Sequence, residues 1–142
     1  MSLLLDTNVL SELLRARPDP AVLAWFAAQP PHSLFVSALT QAEMLMGARL
    51  LPAGRRRQQL QHALDAMFRD DFAGQLWLFD AACVAHFAEL VATRRAAGRP
   101  ISPFEAQIAA IALSHDAGLA TRNGADFEGC RLSLHDPWRF VG

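Results

Sequence analysis

The stretch that most constrains the fold is Leu3-Leu4-Leu5-Asp6-Thr7-Asn8, close to the amino terminus. Three consecutive leucines with no polar residue between them predict a short strand covered on both faces, as in a parallel sheet with helices on each side. Apolar residues at positions 9, 10, 13 and 14 then recur at helical spacing. In such sheets, ligands bind outside the carboxyl ends of the strands. The stretch therefore predicts a buried strand that delivers the carboxylate of Asp6 to a binding edge.

Asp6 and Asn8 also have a purely structural interpretation. Aspartate and asparagine at the start of a helix accept hydrogen bonds from the free amides of its first turn. From this stretch alone, capping and chemistry are equally well supported, so other acidic residues have to decide between them.

The rest of the chain alternates apolar strands with helices. Strands are predicted at 34–36, 76–79, 119–121 and 132–134, and helices at 9–15, 21–28, 37–50, 55–72, 80–98 and 102–115. No repeat or linker divides the sequence. The alternation predicts a single domain over residues 1–142, of class α/β, folded as a three-layer α/β/α sandwich around a mostly parallel five-stranded sheet.

Composition narrows the class of protein. With 52% apolar and 19% charged residues, the sequence is typical of a globular protein. No apolar run approaches the roughly 18 residues of a membrane span, and no basic stretch followed by an apolar one opens the chain, so we expect a cytoplasmic protein. Cys83 and Cys130 have no metal-ligand spacing with the histidines, which argues against zinc and predicts reduced thiols that are buried or partly buried.

The net charge of −1 predicts no general affinity for polyanions, but all 13 basic residues are arginines. Guanidinium groups make bidentate contacts with phosphate that lysine cannot make. Several arginines cluster, at positions 15 and 17, 55–57, and 94, 95 and 99. They either hold a phosphate backbone or form ordinary solvated helix faces.

Four acidic residues fall near the ends of predicted elements: Asp6, Glu43, Glu105 and Asp126. In a parallel sheet these positions can converge at one edge, where the carboxylates repel one another unless cations neutralise them. Oxygen ligands of this kind select Mg²⁺ or Mn²⁺. Such ions lower the pKa of a bound water and stabilise both oxygens of a phosphodiester displacement. The joint placement therefore favours nuclease chemistry.

Each acid also has an alternative explanation. Thr40 to Glu43 and Ser102 to Glu105 match the capping-box pattern, in which a glutamate bonds back to the start of its own helix. Asp126 could be a turn residue. The sequence has no serine nucleophile elbow, no cysteine with a clear histidine partner and no phosphate-cradling glycine loop.

Five segments of the chain carry motifs, which are, in chain order, Leu4-Leu5-Asp6-Thr7-Asn8-Val9-Leu10, Glu43 with Gly47, Ile108-Ala109-Ala110-Ile111-Ala112, Leu119-Ala120-Thr121-Arg122-Asn123 followed by Asp126-Phe127, and His135-Asp136-Pro137-Trp138. Together they resemble the motifs of the PIN-domain ribonucleases, in particular the VapC and FitB toxin branch. The resemblance spans essentially the whole chain.

The resemblance implies a Mg²⁺- or Mn²⁺-dependent endoribonuclease that is the toxin of a type II toxin–antitoxin pair. Asp6 and Glu105 would be the principal metal ligands, with Glu43 and Asp126 completing the acidic pocket. The resemblance also implies roles for residues other than the four acids. Asn8, Thr121 and Asn123 would hydrogen-bond to the metal ligands and orient them, and Arg122, Arg15 and Arg49 would hold RNA phosphates.

The same resemblance implies partners. We expect a homodimer, a small antitoxin whose carboxyl-terminal tail occludes the acidic site, and a larger toxin–antitoxin assembly on operator DNA. No membrane partner is expected.

One position departs from the family pattern. Glu105 stands where the family usually has aspartate, and a displacement of the carboxylate by about one ångström can cost roughly 10²-fold in rate. The alternative is therefore a catalytically weakened PIN-like module that acts mainly through antitoxin and operator binding. A phosphatase of the haloacid dehalogenase type is disfavoured because its second aspartate is replaced here by Asn8.

Overall fold

The computed structural model describes all residues from 1 to 142 and is built around a five-stranded sheet. Every strand pairing is parallel, in the order β3-β2-β1-β4-β5. The predicted sheet is therefore confirmed, and it is wholly rather than mostly parallel. The strands are β1 (Leu3–Leu5), β2 (Leu34–Ser37), β3 (Leu76–Trp77), β4 (Gly118–Ala120) and β5 (Leu134–His135).

Helices cover both faces of this sheet, as the leucine run predicts. Leu3 and Leu5 pack on one face, against the first four helices, and Leu4 packs on the other face, against the last two. This arrangement confirms the three-layer sandwich. The helices are α1 (Thr7–Leu13), α2 (Pro20–Ala28), α3 (Ala38–Arg49), α4 (Arg55–Ala66), α5 (Ala81–Ala96) and α6 (Pro103–Ser114).

The register of the sheet brings the carboxyl end of β1 beside that of β4. Leu3 lies opposite Gly118, and Leu5 lies opposite Ala120. The amide of Asp6 then donates to the carbonyl of Ala120 at 2.9 Å. The residues that follow these two strands consequently meet at the same edge of the sheet.

The predicted helix 55–72 is corrected at its end. Helix α4 stops at Ala66, and Met67–Asp71 form a π-helical turn. The amide of Phe72 donates to the carbonyl of Met67, five residues earlier, at 3.0 Å. In an α-helix, positions five apart diverge by about 140° around the axis. The wider turn lets Met67 and Phe72 both enter the core, which a regular helical pattern does not anticipate.

Helix α5 packs Phe87, Leu90 and Val91 against the core, as their helical spacing predicts. Val84 shares that spacing, but 55% of its surface is exposed. The buried residues are Cys83, Leu90 and Arg94. Both cysteines are buried free thiols, as expected. No helix is long and apolar enough to cross a membrane.

A prediction about packing follows from the close contact between β1 and β4. A Cβ added at Gly118 would lie 2.8 Å from Leu3 Cδ2 and 3.1 Å from the carbonyl oxygen of Ser133. Because this surrounds the new methyl group with buried side chain and backbone, we expect Gly118→Ala to lower the free energy of unfolding by about 1–3 kcal/mol. Urea denaturation measures the change.

The matched control is Gly47→Ala in α3, where an added Cβ meets nothing within 4 Å. This substitution should stabilise the protein by roughly 0.5–1 kcal/mol, since alanine is the better helix former. Equal effects at the two glycines would contradict the packing described for the sheet.

Candidate functional site

Asp6 is the most buried of the candidate acids, with only 7% of its surface exposed. It follows β1 directly and is the N-cap of α1, since its Oδ1 accepts a hydrogen bond from the amide of Thr7 at 2.8 Å. Its Oδ2 accepts from the hydroxyl of Thr121 at 2.8 Å and from Asn8 Nδ2 at 3.4 Å. Asp6 therefore caps a helix, as its structural interpretation predicts, and it also lies at the carboxyl edge of the sheet. Its chemical role stays a prediction.

Thr121 and Asn8 tie this carboxylate to the loop after β4. Asn8 Nδ2 also donates to Thr121 Oγ1 at 3.3 Å, and Asn8 Oδ1 accepts from the amide of Arg122 at 3.2 Å. The amide of Asn123 donates to Thr121 Oγ1 at 3.0 Å. Asn8 and Thr121 thus orient Asp6 through their side chains, whereas Asn123 takes part only through its main chain.

Glu43 is brought to the edge by α3. This helix begins at Ala38 and is capped by Ser37, whose hydroxyl accepts from the amide of Thr40 at 3.0 Å. The capping box expected at Thr40 is therefore wrong, and Glu43 lies in the second turn with no hydrogen bond to a helix end. The hydroxyls of Thr7 and Thr40 lie 3.0 Å apart, which holds α3 against the start of α1.

Glu105 lies in the first turn of α6 and engages its N-cap. The Ser102 hydroxyl accepts from the amide of Glu105 at 3.2 Å and donates to Glu105 Oε1 at 3.0 Å. The glutamate therefore caps through the serine hydroxyl and does not reach the backbone amide of Ser102, as a complete capping box would. Of the two bonds of a capping box, only the one from the Glu105 amide to the Ser102 hydroxyl is present.

Asp126 lies in a 3₁₀ turn, Gly124–Phe127, between β4 and β5. Its side chain is exposed, while the next residue, Phe127, is only 1% exposed and anchors the turn in the core. The turn brings the carboxylate of Asp126 to that of Glu105.

The acids at this edge act on one another electrostatically. Burial raises the pKa of Asp6, and the charges of Glu43 and Asp126 raise it further against the opposing hydrogen bonds from Thr121 and Thr7. Desolvation likewise raises the pKa of Glu105, and so do its contact with Asp126 and the charge of Asp6. Both shifts have the sign expected for carboxylates that lose water and face like charges.

No basic side chain offsets this charge. The four salt bridges of the structure join Arg15 to Glu12, Arg69 to Asp70, Arg99 to Glu128 and Arg139 to Asp136. None of them involves an acid of the edge, here meaning Asp6, Glu43, Glu105 and Asp126. The donor set, which is anionic oxygen throughout, fits a hard divalent cation. Nowhere in the structure are three acidic, histidine or cysteine side chains gathered closely enough to hold an ion as they stand.

The candidate phosphate ligands differ in their surroundings. Arg122 is exposed, and its guanidinium lies over the ring of Trp138 at 5.0 Å while its amide is bound by Asn8. Arg15 is paired with the buried carboxylate of Glu12 at 3.2 Å. Arg49 ends α3 and is exposed. Of these three arginines, only Arg122 is hydrogen-bonded, through its main-chain amide, to Asn8, which itself contacts Asp6.

Sequence reasoning missed Arg94, which it grouped with surface arginines. Its guanidinium is buried and donates to the main chain of the turn that carries Asp126. The signal was present, because Arg94 continues the buried helical spacing of Cys83, Phe87 and Leu90. A charged residue on a helix is expected in solvent, so this spacing was not interpreted as burial.

These features define a small parallel α/β protein with a carboxylate cluster at the carboxyl edge of its sheet. The model of the PIN domain matches residues 3–129. The chain is 40% identical to a VapC ribonuclease, Y4jK of Sinorhizobium fredii, over 96% of this chain and 97% of that protein. It is 33% identical to the toxin FitB of Neisseria gonorrhoeae, over 96% and 98%.

A solved structure agrees with these relatives. A chain in the structure of FitAB bound to an IR36 DNA fragment superposes with a TM-score of 0.92 at 32% identity, covering 99% of this chain and 98% of that one. The chain therefore belongs to the PIN-domain family, in the branch that contains VapC and FitB.

A prediction about pH follows from the raised pKa values of Asp6 and Glu105. A raised pKa means that the folded protein holds these protons more tightly than the unfolded chain, so protonation stabilises the fold. In metal-free protein this stabilisation is complete below the ordinary values of 3.8 and 4.5 and is lost as the pH rises through the raised ones. Lowering the pH from neutrality should therefore stabilise the wild type relative to Glu105→Gln in urea denaturation.

Asp70 provides a control of opposite sign. The hydrogen bond from Arg69 lowers the pKa of Asp70, so its contribution to stability is present above the ordinary value and is lost as the pH falls. The wild type should lose stability relative to Asp70→Asn over the acidic range. If both comparisons ran in the same direction, mutual repulsion at the edge would not explain the first.

Proposed function

We propose that this protein is a metal-dependent endoribonuclease and the toxin of a type II toxin–antitoxin pair. The observation that carries the proposal is the acidic edge itself, where four carboxylates face one another and none has a basic partner. Membership of the family that includes a VapC ribonuclease and the toxin FitB supports the same conclusion. A cellular RNA substrate implies action in the cytoplasm.

In this proposal Asp6 and Glu105 are the principal ligands of Mg²⁺ or Mn²⁺, and Glu43 and Asp126 complete the acidic pocket. A bound divalent cation supplies a Lewis acid that lowers the pKa of a water molecule and offsets charge on the phosphodiester. Thr121 and Asn8 keep the Asp6 carboxylate oriented through their hydrogen bonds to its Oδ2. The Ser102 hydroxyl donates to Glu105 Oε1 and so orients the side chain that would bind the cation.

Arg122 is the strongest candidate for holding an RNA phosphate. Its guanidinium has no carboxylate partner and lies over the ring of Trp138, while its main-chain amide donates to Asn8 Oδ1 beside Asp6. A guanidinium held in this way can bind phosphate with little loss of side-chain freedom. Arg15 and Arg49 remain candidates at the periphery, with Arg15 partly neutralised by Glu12.

The proposed partners follow the relatives. FitB-like chains have been solved as FitAB on DNA, and VapBC from Rickettsia felis has been solved bound to a promoter fragment. We therefore infer a small antitoxin that covers the acidic edge with its carboxyl-terminal tail, a homodimer of this chain, and a joint assembly on operator DNA.

A second candidate function rests on Glu105. Its carboxylate is longer by one methylene than the aspartate usual in the family and is engaged by Ser102. A misplacement of about one ångström costs roughly 10²-fold in rate. The second candidate is a weakened nuclease whose main role is to bind its antitoxin and operator.

RNA cleavage by purified, antitoxin-free protein tests both candidates. We expect the wild type to cut a mixed single-stranded RNA pool with Mg²⁺ or Mn²⁺ and not with EDTA. Asp6→Asn should lower the rate by roughly 100-fold or more, because it removes a ligand charge at the reacting centre. Gel analysis of the products over time measures the rate.

Asp70→Asn is the matched control, since Asp70 is an exposed aspartate paired with Arg69 rather than part of the edge. It should cleave like the wild type. Cleavage by Glu105→Asp but not by the wild type would favour the second candidate. Absence of cleavage in both, or undiminished cleavage by Asp6→Asn, would contradict the nuclease proposal.

A further inference from the structure

Arg94 is the only arginine that the fold buries, with 7% of its surface exposed. It lies in the last turn of α5. The next residue, Arg95, is exposed to solvent, as charged residues on a helix usually are. A buried guanidinium is costly unless its donors are satisfied. Its partners therefore indicate what it does.

The guanidinium of Arg94 is satisfied without a carboxylate. Its Nε donates to the carbonyl oxygen of Arg99 at 2.7 Å. Its Nη1 donates to the carbonyl oxygens of Asp126 at 2.8 Å and Glu128 at 3.1 Å, and lies 3.4 Å from the sulfur of Cys130. One planar side chain thus joins the end of α5 to two carbonyls of the turn between β4 and β5.

These two carbonyls lie on either side of Phe127, whose ring is buried in the core. The turn is also held by short-range bonds, such as that from the amide of Asp126 to the carbonyl of Asn123 at 3.0 Å. At the exposed surface, Arg99 Nη2 donates to the carbonyl oxygen of Ala125 at 3.5 Å and to Glu128 Oε2 at 3.3 Å. Fixing the main chain at Asp126 and Glu128 fixes the point from which the Asp126 side chain extends. The carboxylate is exposed, but its backbone is not free to move.

The position of Asp126 matters because it faces other carboxylates. Like charges at the edge push a mobile turn away, whereas binding of a divalent cation requires the acids to be close together. A clamp on the main chain of the turn opposes that separation before any cation arrives. Preorganisation of this kind increases the affinity for the cation, because less of the turn has to be ordered when the cation binds.

We propose that Arg94 is a positioning residue of the acidic site, which fixes the turn carrying Asp126 and thereby the distance of its carboxylate from Glu105. The inference rests on the proposed metal site and assigns the residue a role distinct from that of the exposed arginines. Lysine cannot replace it, because an ammonium group lacks the fork that reaches Arg99 and the turn together.

The test compares Arg94→Lys with Arg95→Lys, which makes the same change one residue along α5 on the exposed side. Mn²⁺ affinity is measured by calorimetric titration, and amide hydrogen exchange is measured over residues 123–130. We expect Arg94→Lys to weaken Mn²⁺ binding by about 10-fold or more, as substitution of residues that orient metal ligands commonly does. Exchange should accelerate at the amides of Asp126 and Cys130, with Arg95→Lys unchanged in both measurements.

A double-mutant comparison separates positioning from general damage. If Arg94 acts through Asp126, Arg94→Lys should weaken Mn²⁺ binding less than about 2-fold in an Asp126→Asn background. On RNA, Arg94→Lys should lower kcat and leave KM unchanged, because the phosphate-binding arginine is elsewhere. Should Arg94→Lys fail to fold, Arg94→Gln, which leaves no unpaired buried charge, replaces it with the same expected pattern.

The other outcomes would overturn either the positioning role of Arg94 or the proposed metal site. Unchanged Mn²⁺ affinity in Arg94→Lys, an equal loss in the Asp126→Asn background, or an equal loss in Arg95→Lys would overturn the positioning role alone. Absence of Mn²⁺ binding by the wild type would overturn the proposed metal site, and Arg94 would then serve only the fold.

Discussion

Repulsion among carboxylates at the carboxyl edge of the sheet is the constraint on which the account depends. Asp6 is buried and is repelled by the charges of Glu43 and Asp126. Its carboxylate is stabilised only by neutral hydrogen-bond donors, chiefly Thr121. Such an arrangement lowers stability unless a cation relieves it. The buried parallel sheet makes it tolerable, because β1 is covered on both faces and cannot move its end away from the other acids.

The neighbouring structure holds each acid by a different device. Asp6 is held by the start of α1, Glu43 by the contact of Thr40 with Thr7, and Glu105 by the N-cap of α6. Asp126 lies in the short 3₁₀ turn between β4 and β5, and the carbonyl oxygens of Asp126 and Glu128 accept hydrogen bonds from the buried guanidinium of Arg94. This turn thus receives support from α5, which packs beside α6 on the same face of the sheet.

Much of this could be predicted from the sequence because the leucine run and the alternation of elements specify a covered parallel sheet. The position of Asp6 followed from the same run. What could not be predicted depends on contacts that the sequence pattern does not show. These are the capping of α3 by Ser37, which leaves Glu43 without a capping bond, the π-helical turn at Met67, and the burial of Arg94. A charged residue on a helix is expected in solvent, and only the carbonyls of the distant turn make its burial favourable.

Thermal unfolding of the wild type and of Asp6→Asn, each with Mg²⁺, Mn²⁺ or EDTA, tests the central claim most directly. A ligand at about 100 times its dissociation constant stabilises a protein by about 2.7 kcal/mol, which for a chain of this size raises the Tm by roughly 5–10 °C. We expect Mg²⁺ or Mn²⁺ to raise the Tm of the wild type by this amount and to leave the Tm of Asp6→Asn unchanged. No rise in the wild type, or an equal rise in Asp6→Asn, would contradict the claim that these acids form a cation site.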